Sequence, residues 1–75
     1  MSTAFILINC ELGSEARLVL KLETFSAIKE IQSTLGAYDI IARIEEKSNR
    51  DINRLVEKIS KLKDISSITL LNTEK

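Results

Sequence analysis

Tyr38 and Asp39 follow Gly36 by two and three positions. Nowhere else in this sequence do a turn residue, an aromatic ring and a carboxylate coincide. Glycine opens positive φ to the backbone, so the chain can turn sharply there. The stretch Gly36-Ala37-Tyr38-Asp39 is therefore where a small-molecule pocket would place one wall. A structural reading competes with that one. In it Gly36 turns a hairpin, Tyr38 packs at an interface and Asp39 caps the turn, and motifs this short often arise without function.

Other chemistry has little to work with. The sequence has no histidine and no tryptophan, and its single cysteine, Cys10, lies in an apolar run. Asp39 and Glu11 lack an evident acid–base partner, so no catalytic residue and no enzyme activity are expected. One cysteine makes neither a metal site nor an intrachain disulfide, and no metal or cofactor is expected. Cys10 reads as a small buried hydrophobe, with a reactive thiol as the alternative.

Lys plus Arg and Asp plus Glu each total 11, for a formal net charge of zero. Strong nucleic-acid binders carry a basic footprint that this composition lacks. No apolar run approaches the roughly 18 residues of a membrane span, and no signal segment opens the chain. A cytoplasmic protein without membrane contact is the expectation. Its 75 residues make one domain of marginal stability, for which self-association is the remaining support.

The elements that would position the turn follow from periodicity. Thr3 to Cys10 is short and almost continuously apolar, which fits a strand covered on both sides. Phe5, Leu7 and Asn9 point one way; Ala4, Ile6, Ile8 and Cys10 point the other. Ser14 is placed to cap a helix over Ala16 to Phe25, with Leu18, Val19, Leu22 and Phe25 on one face. Ala27 to Leu35 reads as an edge strand of imperfect alternation, because Ile28 and Ile31 are three apart. Ala37 to Glu45 is a clearer strand, and the connection across Gly36 makes an antiparallel hairpin of the two.

Ser48 and Asp51 approach a capping box. Ile52, Leu55, Val56, Ile59 and Leu62 then recur at helical spacing, and Glu57 and Lys61 are set for an i, i+4 pair. Asp64 to Asn72 is the last strand. Ile65, Ser67, Thr69 and Leu71 share one of its faces. The order β-α-β-β-α-β predicts an α+β, ferredoxin-like fold with a four-stranded antiparallel sheet. Two helices cover one sheet face and leave the other open. Several wet Ile or Leu side chains there would each forgo roughly 1.5–3 kcal/mol. An open face of that kind marks an interface, so a dimer packed sheet to sheet, a dimeric α/β barrel, is expected.

Three stretches carry a family resemblance: A-F-I-L-I-N at 4–9 with L-G-S-E after it, G-A-Y-D-I-I at 36–41, and I-S-S-I-T-L-L at 65–71. With these the chain resembles the effector (RAM) domain of the leucine-responsive and asparagine regulators, the Lrp/AsnC transcription factors. Full-length members carry an N-terminal helix-turn-helix domain. Here the first strand begins within a few residues of Met1, so residues 1–75 are expected to be a stand-alone module without direct DNA binding.

The resemblance implies homodimers, rings of dimers such as octamers, and a small amino acid effector bound where dimers meet. It also implies association with full-length regulators. By position it assigns the effector site to Gly36, Ala37, Tyr38 and Asp39, with Ser67 and Thr69 from the last strand. Backbone N–H groups at a glycine turn suit an α-carboxylate, and a carboxylate suits an α-ammonium. Tyr38 adds an apolar wall with a polar tip. The alternative for Ser67 and Thr69 is that of ordinary surface hydroxyls. Leu35 departs from the threonine common in the family, and Thr34 stands one place earlier, which on a strand changes face.

Two other functions compete. One is a ligand-free interaction partner of full-length regulators. The other is an ACT-like amino-acid sensor of the same strand order, whose glycine belongs at the end of the first strand, where Gly13 fits loosely.

Overall fold

The computed structural model describes residues 1–34 and 36–72. The elements are β1 (Ser2–Cys10), α1 (Glu15–Leu22), β2 (Ile28–Ser33), β3 (Ile40–Glu46), α2 (Asn49–Ser60) and β4 (Ile65–Asn72). This is the expected ferredoxin-like order. The sheet runs β2-β3-β1-β4, and every neighbouring pair is antiparallel.

Alternation along the strands decides what is buried. Ala4, Ile6 and Ile8 of β1 and Ile40, Ala42 and Ile44 of β3 are wholly buried against the helices. Leu18 and Leu22 of α1 and Ile52, Leu55 and Ile59 of α2 complete this core. Both helices therefore cover one face. Among the described residues no helix is long and apolar enough to cross a membrane.

Several local expectations are corrected. The helix α1 stops at Leu22 rather than Phe25. The Thr24 and Phe25 N–H groups reach back three residues, to Lys21 O and Leu22 O, both at 3.1 Å. The Thr24 hydroxyl also takes the Lys21 carbonyl, at 2.7 Å, so the α pattern ends there. Ser14 occupies the cap position, but its hydroxyl donates to Glu11 O at 2.6 Å instead of capping α1. Ser48 does cap α2, accepting the Asp51 N–H at 3.3 Å. Among the described residues Glu57 and Lys61 form no ion pair, and Lys61 already lies at the C-cap of α2.

The irregular spacing of Ile28 and Ile31 has a structural cause. Ile28 faces Ile44 and Ile31 faces Ala42, with a register shift between Ile28 and Glu30. The extra residue, Lys29, lets both isoleucines reach the core side of the sheet. A second shift lies in β4, where Ser67 faces Asn9 but Ile65 faces Cys10. Ile65 therefore packs against the helical core instead of sharing the face of Ser67, Thr69 and Leu71. The paired strands are also shorter than expected, Ile28–Ser33 and Ile40–Glu46. Leu35 lies outside the described residues.

The open face has an apolar centre and an ionic edge. Phe5 sits between Arg43 and Leu71, and Leu7 between Ile41 and Thr69. Phe5, Leu7 and Ile41 are half-buried, while Leu71 is 49% exposed. Arg43 pairs with Glu30 at 3.3 Å and also with Glu45.

Candidate functional site

Asp39 stands immediately before β3 and ties the β2–β3 connection to the end of β1. Its backbone N–H is shared between Ile8 O, at 2.9 Å, and Asn9 Oδ1, at 3.1 Å. Its carboxylate Oδ2 accepts the Cys10 N–H at 2.9 Å. The side chain thus replaces the next rung of the β1–β3 ladder. On the other side of the connection, the Thr34 N–H donates to Asp39 O at 2.9 Å, and the Thr34 hydroxyl donates to the Tyr38 carbonyl.

Gly36 has φ +125°, a conformation that L side chains rarely adopt. A Cβ there would meet nothing within 4 Å, so backbone conformation rather than space calls for glycine. Gly36 and Ala37 are exposed, and Tyr38 and Asp39 are half-buried.

Ser67 and Thr69 are both exposed on the open side of β4. Ser67 joins the Asp39 cluster through one residue, Asn9. The Asn9 Nδ2 group donates to Ser67 Oγ at 3.3 Å while its Oδ1 accepts from Asp39. Thr69 lies farther along the same face, beside Leu7. The structure therefore links Asp39 to Ser67 across β1 and sets Thr69 next to the apolar centre, while Gly36 and Ala37 are exposed and outside these contacts. Asn9 is not among the site residues that the sequence suggests. The available signal was a polar amide inside an otherwise apolar strand.

Cys10 lies against the other side of Asp39. With Glu11, Leu12, Gly13 and Glu15 these two residues line a shallow hollow of about 170 Å³. Burial pushes the Cys10 thiol above its ordinary range. The Ser14 hydroxyl opposes that shift, and the Asp39 and Glu15 carboxylates add to it. A thiol so placed is poorly suited to be a nucleophile at neutral pH.

Residues 3–72, which include every candidate site residue, match the family described as the Lrp/AsnC ligand binding domain. The chain belongs to that family. As an Lrp/AsnC domain it superposes on the crystal structure of FFRP-DM1 with a TM-score of 0.93 and 31% identity, over 99% of this chain and 100% of that one. It is 27% identical over 62 residues to the HTH-type transcriptional regulator FL11 of Pyrococcus furiosus, covering 83% of this chain and 41% of the regulator. It is also 31% identical over 65 residues to homocitrate synthase of Sulfurisphaera tokodaii, covering 85% of this chain and 14% of the enzyme. This Lrp/AsnC domain thus spans less than half the length of these curated relatives.

Proposed function

We propose that residues 1–75 act as a single, non-catalytic effector module of the Lrp/AsnC type. It pairs with a second copy through the open face of the sheet and binds a small amino acid where copies meet, so modulating transcription of amino acid metabolism. The observation that carries this reading is the Asp39–Asn9–Ser67 chain of hydrogen bonds at one end of the open face. It aligns the Asp39 backbone N–H, the Asn9 amide and the Ser67 hydroxyl along the side of the sheet that carries Leu7 and Ile41, with the Asp39 carboxylate turned to the Cys10 N–H at the end of β1. In one copy these groups are unroofed, since Ser67 and Thr69 are exposed. A neighbouring copy would supply the roof.

Ligand polarity follows from the groups available. Asp39 Oδ2 already accepts from Cys10. Its second oxygen suits an α-ammonium, and N–H groups of the Gly36 turn suit an α-carboxylate. Titration calorimetry with each common amino acid tests this. Wild type should bind at least one of them, and Asp39→Asn should lose that binding. Binding that survives Asp39→Asn unchanged would remove Asp39 from the site.

A second reading is favoured by the same hydrogen bonds. Asp39 and Asn9 each make contacts that hold the fold, which is what a ligand-free interaction partner of full-length regulators would need. In that case wild type binds no amino acid and assembles regardless. The ACT-like alternative yields to the family match over residues 3–72.

A further inference from the structure

Leu12 is fully exposed, at 104% of its reference area, in the turn between β1 and α1. Gly13 beside it holds φ +85°, and Glu11 and Glu15 flank the pair. Next to this turn, α1 and the connection from α2 to β4 enclose a groove of about 510 Å³. Leu18, Leu20 and Leu62 line it together with Arg17, Lys21 and Lys63, and Thr24 and Asp64 complete the wall. Leu20 is 66% exposed, with Arg17, Lys21 and Lys63 on the groove side and Glu15 and Glu23 on its other side. Arg17 is paired with Asp64 at 3.1 Å. Among the described residues Lys21, Lys63, Glu11 and Glu15 form no ion pair. One surface therefore carries a protruding leucine between two free carboxylates and, beside it, an apolar groove between two free ammonium groups.

We infer that the occupant of this groove is Leu12 of a second copy, with its Glu11 and Glu15 set against Lys21 and Lys63. Charge complementarity selects this occupant over an uncharged apolar partner, and it fixes the orientation of the two copies. The Glu11 N–H is hydrogen-bonded to Asp64 O at 2.8 Å, so the leucine turn borders its own groove. A two-fold contact then seats both leucines at once, each in the other copy's groove. The contact uses the helical layer. It is separate from the open face of the sheet and does not depend on pairing there.

Sedimentation velocity of the full chain tests it with two charge-reversed variants. One carries Lys21→Glu with Lys63→Glu; the other carries Glu11→Lys with Glu15→Lys. Each alone sets like charges across the contact and should weaken this association about tenfold or more. Mixed in equal amounts, they present opposite charges at both grooves and should restore the wild-type distribution. Leu12→Glu, at a residue fully exposed in its own chain, should lose the same species while keeping the wild-type far-ultraviolet spectrum. The inference is overturned if wild type forms no species that these variants lose, if Leu12→Glu assembles like wild type, or if the mixture stays dissociated. Phe5→Glu, on the open face, should leave this contact intact, which separates it from failure of the sheet-face pairing.

Discussion

The carboxylate of Asp39 accepts the backbone N–H of Cys10 at 2.9 Å, across 29 positions of sequence. One side chain thereby extends the pairing of β1 with β3 and fixes where the β2–β3 connection meets the sheet. Asp39 therefore has a structural role in the G-A-Y-D stretch, apart from the effector-binding role proposed for it.

Asp39→Ala leaves the Cys10 N–H without its acceptor in a partly buried place. A loss of about 1–3 kcal/mol is expected, measured by urea unfolding. Asp39→Asn keeps an oxygen that can accept and should cost less. Equal losses for the two variants would show that charge, rather than the hydrogen bond, stabilises the contact.

Gly36 holds φ +125° with open space where a Cβ would go. Gly36→Ala therefore creates no clash but strains the backbone. It should destabilise by more than about 1 kcal/mol in thermal or urea unfolding. A neutral or stabilising effect would mean that the connection relaxes freely to negative φ.

Burial raises the Cys10 thiol pKa, with the Asp39 and Glu15 carboxylates adding to the shift. The folded state thus holds this proton more tightly than the unfolded state. The resulting stability is fully present below the free-thiol pKa and is lost as pH rises through the folded value. Alkylation by iodoacetamide should be slower in the native protein than in urea at the same mildly alkaline pH, and its midpoint should lie higher. A native midpoint at or below that of the unfolded chain would contradict the placement of Cys10.

The fold was legible because apolar spacing is strict where both layers meet. Ile52, Leu55 and Ile59 read directly as one buried helix face, and they are buried; β1 reads as apolar on both faces, and of its residues Ala4, Ile6 and Ile8 are the ones buried under the helices. The departures from simple alternation lie where one residue is added to a ladder. Lys29 and Ser66 each shift the register, so Ile28 with Ile31, and Ile65 with Ser67, break a simple period of two. Local sequence does not announce such bulges, because the partner strand determines them. The turn at Gly36 was readable from residue types. The bridging role of Asn9 was not, since it depends on β1 lying between β3 and β4.

Native mass spectrometry of the purified chain, with and without a pool of the common amino acids, tests the central claim most directly. The account predicts even-numbered assemblies that retain an amino acid, with Asp39→Asn giving the same assemblies empty. A monomer, or assemblies that ignore every amino acid, would contradict it.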